Sequence, residues 1–185
     1  EVLLRFRHPV GIVTKSNLVA RDIDILAPMA RLGLVKVAVS VTTLDPVLAR
    51  RMEPRAPHPQ RRLDAIRALS AAGVPVMVIA APIIPSLNDH EIEAILEAAR
   101  DCGAREASHV LLRLPHELDD LVSDWFAEHY PGRREHVRRG ELCGDRAGVT
   151  TRQGEEERRG AVGGPRVEHD PVAEFGERGL DPQPQ

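Results

Sequence analysis

VGIVTKSNLVARDIDILAPMARLGLVKVAVSVTTL, residues 10–44, carries the pattern that decides the fold. It opens with a short β-branched run, Val10 to Thr14, and closes with a second, Lys36 to Val41. Both runs are continuously apolar rather than alternating, as in strands covered on both faces of a parallel sheet. Between them, DIDILAPMARLG reads as a helix opening at Asp22 and ending at Gly33, a glycine just past the last turn. Pro28 inside it predicts a kink or a shortened helix. Strand, helix and strand in this order make a right-handed βαβ crossover.

The same alternation continues outward. Asp45 followed by Pro46 is an N-cap with proline at the first helical position, predicting a short helix to about Met52. From Arg61 to Gly73 the chain places Leu63, Ile66 and Leu69 on one helical face. Val76 to Ala81 (VMVIAA) is a third strand. Asn88 or Asp89 caps the next helix, where Ile92, Ile95, Leu96 and Ala99 form an apolar stripe. His109 to Leu114 (HVLLRL) is a fourth strand, and Pro115 opens a last helix with Leu118, Leu121, Val122, Trp125 and Phe126 inward. The predicted fold class is α/β with about four β/α units. They fit part of a (β/α) barrel or part of a doubly wound sheet, and periodicity does not choose between them. No GxGxxG follows the first strand, so the dinucleotide-binding fingerprint is absent.

Composition narrows the function classes. The net charge is −3 and aromatic residues are 3%, which gives no basic field or stacking surface that would indicate nucleic acid. No apolar run reaches the ~20 residues of a membrane span. Cys102 and Cys143 are the two cysteines, too few for a disulfide framework, and a reducing, cytoplasmic setting is expected. Past about Arg133 the sequence turns into Arg, Glu, Gly and Pro with scattered apolar residues. Residues 133–185 therefore read as a disordered or frameshifted tail, and residues 1–132 as the folded unit. The opening EVLLRFRHPV has neither a methionine start nor a signal-peptide pattern, so the chain is expected to begin inside a larger protein.

In parallel β/α folds, ligands bind at the C-terminal ends of the strands. Lys15 stands at the first strand end, one of only two lysines with Lys36. It is either a cation for a carboxylate or phosphate or a lysine snorkelling from the rim. Ser40 ends the second strand and either meets a ligand or bonds to backbone. Thr42, Thr43 and Asp45 follow, and then Glu53 and Arg55 flank a proline as an expected ion pair. Asn88 is most simply a helix cap. Arg113 lies in an apolar strand, so its guanidinium must reach water or a partner. The histidines lack metal-ligand spacing.

VGIVTKSNLVARDIDIL, VSVTTLDPVLARRMEPRAP, RRLDAIRALSAAGVPV, APIIPSLNDHEIEAIL and LLRLPHELDDL together resemble the bacterial radical S-adenosylmethionine (radical SAM) proteins related to spore photoproduct lyase, the DNA-repair-photolyase-like group. The resemblance runs from about residue 1 to about residue 137. It implies a partial (β/α)6 barrel with S-adenosylmethionine across the strand ends beside a [4Fe–4S] cluster. An electron from that cluster cleaves the sulfonium to a 5′-deoxyadenosyl radical. By motif, Lys15 in TKS is similar to a lysine that contacts the methionine carboxylate. Ser40 in VSVTT is similar to a serine on the next strand that contacts carboxylate or ribose. The APIIPSLND segment with Asn88, and LLRLP with Arg113, would line the adenine side.

Two departures qualify what the resemblance implies. The family's CxxxCxxC cluster motif and its glycine-rich amine-contacting segment are absent from this sequence, so no metal ligand is expected in it. The chain is then expected to be part of a radical SAM enzyme, inactive alone. Other readings are a non-catalytic module that binds a nucleotide-like ligand, and a barrel aldolase using Lys15 as a Schiff base. DNA as substrate follows by analogy with spore photoproduct lyase only.

Overall fold

The computed structural model describes residues 1–132 and the two-residue strand at 173–174. Apart from those two, the expected tail of residues 133–185 lies outside the described residues. The elements run α1 (Val2–Arg5), β1 (Val10–Thr14), α2 (Ile23–Arg31), β2 (Val35–Ser40), α3 (Pro46–Met52) and α4 (Pro59–Ala71). They continue with β3 (Val76–Ile83), α5 (Ile92–Asp101), β4 (Glu106–Leu111), α6 (Asp119–His129) and β5 (Ala173–Glu174). The strand order is β1-β2-β3-β4-β5. β1 to β4 are parallel and in chain order, and β5 pairs antiparallel with β4. Consecutive parallel neighbours joined by helices, with no reversal of order, are the arrangement of a partial barrel rather than of a doubly wound sheet.

Local chemistry explains the boundaries. Asp45 caps α3 through a bond from the Val47 N–H to its Oδ1 at 2.7 Å, with Pro46 in the first turn. Gly33 adopts φ +68 behind α2, where the Leu34 N–H reaches back to the Met29 carbonyl at 2.9 Å. The start of that helix differs from expectation. A 3-10 helix, Asn17–Asp22, is inserted first and is capped by Ser16, while Asp22 makes no side-chain cap. Pro28 lies inside α2, which continues to Arg31.

α2, α4 and α5 cover one face of the sheet. Leu26 and Met29, Leu63, Ile66 and Leu69, and Ile95 and Ala99 pack on Val37, Val39, Val76, Val78 and Ala107. A fully buried residue such as Ile66 contributes roughly 1.5–3 kcal/mol by leaving water. Among the described residues the opposite face carries no helix of this layer, and Val13 is 72% exposed on it. A second, smaller core lies beyond the strand ends. There Leu48 of α3, Ile84 and Leu87 of the loop after β3, and Phe126 of α6 pack together with Leu112 and Trp125. No described helix is long and apolar enough to cross a membrane.

Candidate functional site

The C-terminal ends of β1, β2 and β3 bring Lys15, Ser40, Thr42 and the Ala81 carbonyl to one place. Parallel pairing sets Thr14 beside Val39 and Ser40 beside Ile79, so the residues that follow emerge at the same level. The Lys15 ammonium donates to Glu53 Oε1, to Thr42 Oγ1 at 3.1 Å and to the Ala81 carbonyl at 3.3 Å. An ammonium has three protons, and these three acceptors take all of them. Thr42 Oγ1 lies 2.8 Å from the Ala81 carbonyl and 3.0 Å from Glu53 Oε1. Ser40 Oγ donates to the same carbonyl at 3.2 Å.

Glu53 is the hinge of this group. Its other oxygen, Oε2, accepts from Arg62 Nη2 at 2.5 Å. Arg62 is 1% exposed, and its remaining nitrogens meet the Pro57 carbonyl at 3.0 Å and the Ser40 carbonyl at 3.2 Å. A buried guanidinium needs such acceptors, and here each of its three nitrogens has one. Burial pushes the Glu53 carboxyl up, but hydrogen bonds from Lys15 and Arg62 outweigh it and hold its pKa below the ordinary value. Two cations against one carboxylate leave the group with one excess positive charge, open at Lys15, whose side chain is 39% exposed.

The expected Glu53–Arg55 pair is replaced by Glu53 with Lys15 and Arg62. Arg62 was absent from the sequence candidates, although a signal existed. It falls on the same helical face as Ile66 and Leu69, and a charge on a buried face announces a buried partner.

Asn88 is fully buried, and its side chain works as a clamp between loops. Its Nδ2 donates to the Thr42 carbonyl at 2.7 Å and to the Pro82 carbonyl at 3.0 Å, while Oδ1 accepts from the Ile84 N–H at 2.6 Å. It makes no side-chain helix cap. Glu91 adds a second tie, accepting from Thr43 Oγ1 at 2.6 Å and from the Leu44 N–H at 2.7 Å. Asn88 and Glu91 thus pin the loop that carries Thr42. β4 ends at Leu111, three residues before the expected end at Leu114, which leaves Arg113 past the strand and exposed. Lys15 and Ser40 are therefore brought together, Asn88 lies behind them, and Arg113 stands on another part of the rim.

A parallel sheet of sequential β/α units with a cation and hydroxyls at its first strand ends is the setting in which family matches acquire meaning. Residues 2–99 match the radical SAM superfamily. The chain belongs to that superfamily. An uncharacterized protein of Mycobacterium tuberculosis (strain ATCC 25618 / H37Rv) is 35% identical over 125 residues, 66% of this chain and 37% of the relative. Uncharacterized proteins of Acidianus two-tailed virus (37% over 97 residues, 50% of this chain and 32% of the relative) and of Methanocaldococcus jannaschii (32% over 85 residues, 46% and 32%) are also similar. The chain spans only about a third of the length of these relatives.

Superfamily membership implies S-adenosylmethionine and a [4Fe–4S] cluster, and the two fare differently against these residues. The excess cation at Lys15 with the hydroxyls of Ser40 and Thr42 suits an amino-acid carboxylate. The cluster does not fit. Among the described residues no group of three or more His, Cys, Asp or Glu could hold a metal ion. The whole sequence has two cysteines against the three of the family motif. Cys102 is buried at the end of α5, where burial pushes its thiol pKa up, away from the thiolate that ligates metal.

Proposed function

We propose that this chain forms the S-adenosylmethionine-holding side of a radical SAM barrel related to spore photoproduct lyase, and that it is inactive alone. The observation that supports this reading most is the convergence of Lys15 and Ser40, from adjacent strand ends, on one acceptor, the Ala81 carbonyl. Two donors aimed at a single oxygen are arranged to receive a carboxylate oxygen. Arg113 would meet the ligand only from the far rim, and Asn88 acts through the Thr42 loop. A Schiff-base role for Lys15 is disfavoured because its amine donates to three acceptors rather than standing free. With two cysteines in the sequence, the reductive step is left to cluster ligands outside it.

Anaerobic reconstitution of the full chain with iron and sulfide tests the inactive-alone reading. The expected outcome is no stoichiometric [4Fe–4S] absorbance and no 5′-deoxyadenosine from S-adenosylmethionine and dithionite. A full, stable cluster would overturn it.

A further inference from the structure

The Ala81 carbonyl has two lone pairs and three donors within reach: Thr42 Oγ1 at 2.8 Å, Ser40 Oγ at 3.2 Å and Lys15 Nζ at 3.3 Å. With three donors for two lone pairs, this half-buried oxygen is over-supplied. The two longer contacts come from Lys15, whose side chain is 39% exposed, and Ser40, 5% exposed, and the shortest comes from Thr42, which is 1% exposed. Lys15 is meanwhile anchored by the charge-assisted bond to Glu53, which Arg62 holds from behind. Thr42 has one hydroxyl proton, with the Ala81 carbonyl at 2.8 Å as its shorter acceptor and Glu53 Oε1 at 3.0 Å as the other. Because Glu53 Oε1 already accepts from Lys15, that proton can stay on the carbonyl, and the third ammonium proton and the Ser40 hydroxyl can leave it without leaving it unsatisfied.

We infer that the Ala81 carbonyl is a placeholder for a ligand carboxylate. Lys15 and Ser40 hand their protons from it to the incoming anion, and Thr42 is the positioning residue that keeps the carbonyl satisfied once they have gone. This rests on the reading of these strand ends as the S-adenosylmethionine site and names the device that opens it. The exchange replaces two long bonds to a neutral carbonyl with two charge-assisted bonds to a carboxylate, so it favours anions over neutral ligands. Removing the Thr42 hydroxyl changes the balance. The carbonyl must then keep one of the two donors, and the ligand loses it.

The test uses the full chain labelled at lysine 13Cε and 15Nζ. Only Lys15 and Lys36 contribute, and Lys36→Arg assigns the pair. In the ligand-free chain, Thr42→Val is expected to shift the Lys15 signal and leave that of Lys36 in place, while Thr42→Ser restores it. On titration with S-adenosylmethionine, the Lys15 signal is expected to move along a saturable curve. Thr42→Val should weaken binding about tenfold, the scale of one buried polar group left unpaired, and Thr42→Ser should bind as the wild type does. Ser40→Ala gives an independent arm if Thr42→Val does not fold. It leaves the carbonyl with two donors, so the fold stays, and binding is expected to fall several-fold, about the worth of one hydrogen bond. If S-adenosylmethionine moves Lys15 equally in wild type, Thr42→Val and Ser40→Ala, the site reading stands and the placeholder is overturned. If Lys15 shifts on Thr42→Val in the free chain but no S-adenosylmethionine reaches it in any variant, the site reading falls and the hand-over with it.

Discussion

Two stretches of the same rim differ in kind. At the ends of β1 and β2, Lys15, Thr42, Glu53 and Arg62 fix one another by hydrogen bonds at distances down to 2.5 Å, over a loop that Asn88 clamps from below. At the end of β4, Arg113 is exposed and, among the described residues, makes no hydrogen bond or ion pair. Both carry positive charge, but only the first has a fixed direction. A cation held by a carboxylate and a hydroxyl directs its remaining proton, now on the Ala81 carbonyl, at one point, whereas an exposed guanidinium samples many rotamers and must be ordered by whatever it meets. A ligand group that needs precise seating belongs at the first stretch.

The sharpest way to break this contrast is to remove its hinge. Glu53→Ala leaves Arg62, 1% exposed, without its anionic partner, and is expected to destabilise the chain by about 3 kcal/mol in urea unfolding. A loss near zero would mean that the network is not held in solution. Glu53→Gln keeps the shape and tests the charge through pH. The folded carboxyl lies below its ordinary value of 4.5, so its stabilisation is present above that value and disappears as pH falls through the folded one. The stability gap between wild type and Glu53→Gln should therefore be full above about pH 4.5 and close in more acidic solution. A gap that widens on acidification would contradict the assignment.

Asn88→Ala comes next. It leaves the Thr42 and Pro82 carbonyls and the Ile84 N–H to find other partners, and a loss of about 2 kcal/mol is expected. A melt indistinguishable from wild type would show that the clamp is not formed. Arg113→Ala should change stability by less than about 0.5 kcal/mol, as an exposed site with no partner among the described residues does. A loss of 1 kcal/mol or more (roughly fivefold in the folding equilibrium) would mean that the β4 end is as built as the β1 end.

The strands and the helix between them were legible at residues 10–44 because continuous apolar runs and the glycine stop at Gly33 are local signals. Asp45 and Pro46 marked α3 for the same reason. The fourth strand was placed three residues late. The apolar letters of LLRL continue past the sheet, where Leu112 turns into the second core instead of the first. One hydropathy run served two cores, and periodicity cannot divide it. Lys15 and Ser40 stood out by position at strand ends, but their partners did not. Glu53 is 38 residues from Lys15, and Ala81 is 41 from Ser40. Asp22 and Asn88 both look like caps by type. Yet Asp22 pairs with Arg21, and Asn88 is drawn into a gap between loops that only the packed sheet creates. Local rules name the residues available for a cap, whereas tertiary packing decides which of them is used.

The account as a whole turns on whether the Lys15 end of the rim receives S-adenosylmethionine. Calorimetric titration of the full chain with that compound, in parallel with Lys15→Ala, addresses it directly. Without cluster contacts the expected affinity is weak, with a dissociation constant of about 1 mM or above, no more than about 4 kcal/mol of binding. That binding should vanish in Lys15→Ala, while Arg113→Ala retains it. Binding of any strength that survives Lys15→Ala unchanged would contradict the assignment of this rim as the ligand site.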